Sequence, residues 1–308
     1  MSNRALVESF HDWQTADESL ALVTVVATEG STYSKAGRHI IIRPGGEYAG
    51  LVSGGCLEGD LGQHAERVIE SGEHVMLTYD MRDEADEIWG IGVGCNGLIE
   101  VLVQRLDSRD NWEPFAALAK AMASPEQHIA TLITQSNDDA LPVGSLSLRD
   151  HAGRLVYGSG EPPPPAPLPQ LHEHTQGIRA LHWQINPWPR LLLLGAGPDA
   201  EPVCQLALGQ GWHVCVADHR PASLEAKGFQ DADQRCVIEP PQLAQELNLA
   251  EFSAVVIMSH HLETDRHYLQ QLADHSITDT IRYLGVLGPA ARREKLLAAL
   301  DNPSAEFL

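Results

Sequence analysis

Residues 190–218 read RLLLLGAGPDAEPVCQLALGQGWHVCVAD. The four leucines after Arg190 form an apolar run of strand length, the signature of a strand covered on both faces. The run opens onto Gly195-Ala196-Gly197 and a helical stretch to Leu208, and a second apolar strand over 212–217 ends at Asp218. A strand, a glycine turn, a helix and a second strand closed by an acid form a dinucleotide-binding βαβ unit. Gly195 permits the tight turn, and Gly197 lets the backbone approach a pyrophosphate. Ala200 lets helix and strand pack closely, and Asp218 is placed to accept hydrogen bonds from a ribose. Four neighbouring residues oppose an anion. Pro198 and Pro202 bring no N–H to the helix start, and Asp199 and Glu201 add negative charge there. Retained nucleotide binding and a remodelled pocket therefore both remain open.

Working outward, strand patterns at 254–258 and 283–286 alternate with helical ones at 265–274 and 290–300, which predicts a parallel sheet with helices on both faces. Upstream lies EPPPPAPLPQ at 161–170, with six prolines in ten positions. Such density forbids helix and favours a stiff polyproline spacer. Before it, strands are expected at 20–27, 38–43, 47–53, 74–79, 98–103, 129–134 and 144–148, with helices at 57–70 and 114–122. The expected fold class is α/β: a mixed α/β N-terminal domain over 1–160, a proline-rich linker and lead-in strand over 161–188, and a Rossmann-like C-terminal domain over 189–308.

The chain has 308 residues, 43% hydrophobic and 20% charged, which suits two domains with real cores. With 42 acidic against 21 basic residues, the formal charge is −21 and no basic cluster exists to neutralise phosphates, so nucleic acid is excluded as a partner. An acidic surface suits a basic patch on a partner protein or simply keeps the chain in solution. No apolar run is long enough to span a bilayer, and the N-terminus lacks a signal pattern, so a cytoplasmic location is expected. Five cysteines, none in C-x-x-C spacing, argue against a disulfide framework or a structural zinc site.

Two of those cysteines sit in glycine-rich turns. Ser53-Gly54-Gly55-Cys56-Leu57-Glu58 leads from a strand into a helix, and Gly90-Ile-Gly-Val-Gly94-Cys95-Asn96-Gly97 surrounds the second. Glycines let backbone N–H groups turn toward a ligand. A thiol at a helix start has its thiolate favoured by the dipole, which makes it a nucleophile or a soft-metal ligand. Buried cysteines are often mere small hydrophobes, and Cys204, Cys215 and Cys236 fit that description; two cysteines framed by glycines point instead to a site. A third loop, residues 30–37 with Arg38 behind it, offers Ser31, Thr32, Ser34, Lys35 and Arg38 between glycines and suits an anion.

These three segments, in this order and ahead of a Gly-Ala-Gly Rossmann turn, resemble the XdhC/CoxI family of xanthine dehydrogenase accessory proteins along almost the whole chain. The family's SGGCLE signature recurs letter for letter at residues 53–58, and its GCGG turn is similar to residues 94–97, with Asn96 as the third letter. Pro198 stands where the family has histidine, and Tyr33-Ser34 where it has Pro-Arg. The resemblance implies a chaperone for the molybdenum cofactor, in mono- or dinucleotide form. Such a protein holds the cofactor, assists its sulfuration with a cysteine desulfurase, and inserts it into a xanthine-dehydrogenase-type enzyme. It also implies a homodimer without catalytic turnover. Cys56 would contact the metal-bearing end. Gly54, Gly55, Ser31, Lys35, Arg38, Gly94 and Cys95 would surround the cofactor, with Gly195, Gly197 and Asp218 available to a nucleotide.

Two other readings use the Gly195 turn: an NAD(P)-dependent oxidoreductase, or a module that senses a nucleotide while its first half docks a partner. The first needs a proton donor or acceptor, for which His260 and His261 are the candidates. The stretch HHLETDRH at 260–267 has spacing too loose to favour a metal site over solvated side chains.

Overall fold

The computed structural model describes residues 2–82, 96–160, 168–174, 177–275 and 281–300. It divides into two units, Met1–Pro187 and Trp188–Leu308.

The first unit opens with helix α1 (Asn3–Thr15), whose Leu6, Val7, Phe10 and Trp13 recur at helical spacing and are buried. Strands β1 (Leu20–Gly30), β2 (His39–Ile42) and β3 (Tyr48–Gly50) follow, then α2 (Glu58–Ser71), β4 (Val75–Asp80) and β5 (Gly97–Leu106). These strands form one antiparallel sheet in the order β3-β2-β1-β5-β4. Alternate residues of β1 and β2, among them Val23, Val25, Ile40 and Ile42, face Leu61, Ala65 and Val68 of α2 and form one core. Helix α3 (Phe115–Ala123) leads to β6 (His128–Gln135), β7 (Leu146–Asp150), β8 (Leu155–Tyr157), β9 (Gln170–His174) and β10 (Ile178–Ile185). Those five make a second antiparallel sheet, β8-β7-β6-β10-β9. The two sheets meet where His39 of β2 packs between Phe115 and Trp183, and where Gly37 lies so close to Trp183 that a Cβ would stand 2.6 Å from its ring.

Part of the span expected as a proline-rich linker and lead-in strand, 161–188, belongs instead to the sheet of the first unit. Residues 170–174 and 178–185 are sheet strands of the first unit, with β10 paired to β6 from Arg179↔Gln135 to Ile185↔His128. In IRALHWQI every residue but Arg179 and Gln184 is buried, so this strand is covered on both faces and sits inside a sheet rather than in a linker. Residues 161–167 lie outside the described residues.

The second unit begins with β11 (Arg190–Leu194) and α4 (Ala200–Gly209), then β12 (His213–Asp218), α5 (Pro221–Leu224), β13 (Gln234–Val237), α6 (Leu243–Glu246), β14 (Ala254–Ile257), α7 (Leu262–Asp274), β15 (Tyr283–Val286) and α8 (Ala290–Ala298). Its sheet is wholly parallel, in the order β13-β12-β11-β14-β15. Leu191 and Leu193 face α4 with Ala200 and Cys204. Leu192 and Leu194 face Tyr268 and Leu269 of α7 and Leu296 of α8. A strand covered on both faces needs an unbroken apolar run, which is what 191–194 supply. The Rossmann-like fold follows, with the strand order reversing between β11 and β14. Among the described residues no helix is long and apolar enough to cross a membrane.

Candidate functional site

Between β3 and α2 the chain turns through Gly54 (φ +82) and Gly55 (φ +111), a conformation that a side chain would strain. Glu58, the first residue of α2, reaches back into this turn. One carboxylate oxygen accepts from the N–H groups of Val52 at 3.0 Å and Ser53 at 2.9 Å. The other accepts from the Ser53 hydroxyl at 2.6 Å and the Gly55 N–H at 2.9 Å. The Ser53 hydroxyl oxygen in turn accepts from the Leu57 N–H at 2.7 Å, closing a reciprocal cap at the helix start. Burial alone would raise the pKa of Glu58. The Ser53 hydroxyl and the N–H groups of Ser53 and Val52 outweigh it and hold the carboxyl below its ordinary value.

The turn therefore differs from its sequence expectation. Its N–H groups at 52, 53 and 55 are committed to an internal carboxylate rather than offered to an anion, and the same carboxylate occupies the positive end of the helix. Cys56 sits on the shaped turn as a free, partly exposed thiol.

The 30–37 loop closes on this turn, and residues 96–97 meet the start of that loop. Gly30 at the end of β1 pairs with Gly97 at the start of β5, and the Ser31 N–H donates to the Asn96 carbonyl at 3.1 Å. A Cβ on Gly30 would stand 2.6 Å from the Asn96 oxygen, and one on Gly97 would stand 2.7 Å from the Ser31 oxygen. Both glycines are needed for that approach. Gly94 and Cys95 lie outside the described residues. The Tyr33 ring passes 3.4 Å from where a Gly54 Cβ would be, and the buried Ser34 hydroxyl donates to the Leu51 carbonyl at 3.1 Å. Sequence reading marked Ser31, Lys35 and Arg38 and missed Tyr33, whose aromatic ring on an anion-type loop was the available signal.

Lys35 and Arg38 line a cleft of about 240 Å³ together with Ser2, Asn3, Ser34 and His39. Cys56 does not line it, so the cations and the thiol form separate contact points. The Lys35 ammonium lies 3.5 Å from the Thr32 hydroxyl, and Arg38 donates to the Asn3 side-chain oxygen at 3.3 Å. His39 is buried; its Nδ1 lies 3.1 Å from the Thr24 hydroxyl, and its Nε2 has no hydrogen-bond partner. Burial, helped by the Arg38 charge, pushes its pKa down to about 3, so the ring is neutral. Among the described residues, no group of three or more His, Cys, Asp or Glu is arranged to hold a metal ion.

The Gly195 turn in the second unit is filled by its own side chains. A Cβ on Gly195 would lie 2.6 Å from Ser259, so this glycine serves the close packing of β11 beside the end of β14. Above Gly197 lies the ring of His260, whose Cδ2 would stand 3.3 Å from a Cβ there and whose Nε2 pairs with Asp199 at 3.3 Å. His260 itself holds a left-handed backbone (φ +64). Asp218 is buried. One of its oxygens accepts from the Ala196 N–H at 2.7 Å and the Arg220 guanidinium at 2.8 Å; the other accepts from the Arg220 N–H at 2.8 Å and its Nε at 3.0 Å. Burial would raise the Asp218 pKa, but those bonds, Arg220's side chain foremost, bring it below the ordinary value. A ribose hydroxyl would meet an already occupied carboxylate. His261 caps α7, accepting from the Thr264 N–H.

Comparison with known proteins bears on the whole chain. Residues 13–80 match the model of the XdhC and CoxI family, and residues 191–306 that of the XdhC Rossmann domain. Over 296 residues, 93% of this chain and 84% of the relative, it is 31% identical to a Bacillus subtilis protein named as a probable xanthine dehydrogenase subunit. The chain belongs to the XdhC and CoxI family. This family member is also 25% identical, over 73% of its length and 60% of the relative's, to the Escherichia coli molybdenum cofactor insertion chaperone PaoD. A Bacillus halodurans crystal structure described as a xanthine dehydrogenase superposes with a TM-score of 0.77 at 28% identity, covering 99% of this XdhC/CoxI chain and 87% of the other.

Proposed function

We propose that this chain binds the molybdenum cofactor in transit and delivers it to a xanthine-dehydrogenase-type molybdoenzyme, itself performing no turnover. The observation that carries the reading is a partly exposed thiol, Cys56, on a turn whose shape is fixed by Glu58 and against which the 30–34 loop packs. Family membership and the relative named as a cofactor insertion chaperone support it. The residues fit such a cargo: a soft thiolate suits molybdenum, and the cations at 35 and 38 suit its phosphate. When bound, the cofactor would supply the metal centre of the recipient enzyme; this chain's residues would only hold and shield it.

The finer parts of the reading are sulfuration assisted by a cysteine desulfurase, and action as a cytoplasmic homodimer. The self-filled Gly195 turn favours a structural second unit over an NAD(P)-dependent oxidoreductase. The test is to express the chain together with cofactor biosynthesis, purify it, and assay bound molybdenum and pterin. Cys56→Ala is expected to lose the cofactor with unchanged thermal melting. Full retention in that variant removes Cys56 from the site, and absence of any pterin from the parent chain removes the reading.

A further inference from the structure

The chain carries 42 acidic and 21 basic residues, yet it has a concave surface lined by two cations and no carboxylate. The cleft between the start of α1 and residues 33–39 is such a surface. Lys35 and Arg38 are exposed, and among the described residues neither pairs with a carboxylate; they contact the neutral side-chain oxygens of Thr32 and Asn3. Their charge is therefore uncompensated where a ligand would sit.

Helix α1 begins at the same place. Its first turn holds no acidic residue, and its cap, Ser2, accepts from the Ala5 N–H. The positive end of this thirteen-residue helix is thus not countered by a carboxylate of its own turn. A second and independent observation comes from His39, which lines the cleft at 5% exposure with its Nε2 unbonded. Buried polar atoms are nearly always hydrogen-bonded, so this unpaired nitrogen is an exception at the edge of the cleft.

We infer that this cleft is an oxyanion subsite that receives the phosphate end of an organic phosphate, gripped by Lys35, Arg38 and the start of α1. At about 240 Å³ the space is smaller than the ~300–1,000 Å³ that encloses a drug-sized ligand, so it takes one group of the ligand rather than the whole. The inference deepens the cofactor reading and rests on it for the identity of the organic phosphate. It gives the cargo two separate handholds, a phosphate here and a metal at Cys56.

The experiment is calorimetric titration of the full chain with inorganic phosphate and with pyrophosphate, against chloride at matched ionic strength. Saturable binding is expected, weakened about tenfold or more in the Lys35→Ala/Arg38→Ala double variant. Asn3→Asp is the folding control: an acid suits a helix start, so melting should hold or rise while the anion is repelled and its affinity drops. Unsaturable binding by the parent chain, or equal affinity in both variants, would make this an adventitious ion only and overturn the assignment. Saturable, Lys35/Arg38-dependent phosphate binding without pterin retention would sink the cofactor reading and leave the subsite standing. Pterin retention with phosphate affinity unmoved by the variants would do the reverse.

Discussion

Replacing Glu58 by alanine should collapse the Cys56 turn, and the cost can be worked from its contacts. The carboxylate accepts four hydrogen bonds: from the N–H groups of Val52, Ser53 and Gly55, and from the Ser53 hydroxyl. Each buried donor left without an acceptor costs about 1–3 kcal/mol, so four set a ceiling of about 4–12 kcal/mol. The turn lies at the surface, where Gly55 is partly solvated and water can replace some of those acceptors. An effective loss of about 3–4 kcal/mol is therefore expected, lowering the melting of this unit by about 6–16 °C. Glu58→Gln keeps one carbonyl acceptor and lets the Ser53 hydroxyl reverse its role, so about 1.5–3 kcal/mol should be lost.

The pH dependence supplies a second readout. Because the folded pKa lies below the ordinary 4.5, the carboxylate's contribution is complete above that value and disappears as pH falls through the folded pKa. The gap between parent and Glu58→Gln stability should hence be constant from about pH 7 to 5 and narrow below about 4.5. Chemical denaturation across that range measures it. A loss under about 1 kcal/mol in both variants, or a gap that does not change with pH, would refute the carboxylate clamp.

Asp218→Asn should destabilise the second unit by about 2–4 kcal/mol through loss of the Arg220 fork and the Ala196 bond, without creating affinity for NADH; nicotinamide fluorescence and melting check both halves. Gly37→Ala puts a methyl 2.6 Å from the Trp183 ring at φ +84, so a loss of about 2–4 kcal/mol and a shifted tryptophan emission are expected. His39, held near a pKa of about 3 against 6.5, stays neutral while the unfolded ring takes up a proton. Stability is therefore lost as pH falls from 6.5 toward 3, and His39→Gln should flatten that decline in denaturant titrations.

Much of the fold was legible because burial writes itself into composition. The run 191–194 announced a strand covered on both sides, and Leu61, Ala65 and Val68 marked the inner face of α2. Helix α1 escaped notice although Leu6, Phe10 and Trp13 keep helical spacing, since its remaining positions are polar and no glycine or proline frames it. A lead-in strand was expected before residue 189, but the prolines ahead of it concealed that two strands, β9 and β10, complete the sheet of the first unit: such a run marks a break in secondary structure, whether that break separates domains or only two strands of one sheet. In the site, SGGCLE located the turn and its glycines, but its final letter acquires a role only when the backbone brings residues 52–55 within reach of the carboxylate. Likewise Asp218 stood where a ribose acceptor belongs, and only the fold revealed that Arg220, two residues on, engages it first.

The placement of β10 beside β6 also governs how the molecule can be divided. A fragment ending at residue 160 would strip both β9 and β10 away, leaving the whole hydrogen-bonding flank of β6 bare. Bare strand flanks recruit other strands, so that fragment would self-associate rather than fold as a smaller protein. A cut between Pro187 and Trp188 keeps each sheet whole and is where a protease or a gene fusion should separate the halves.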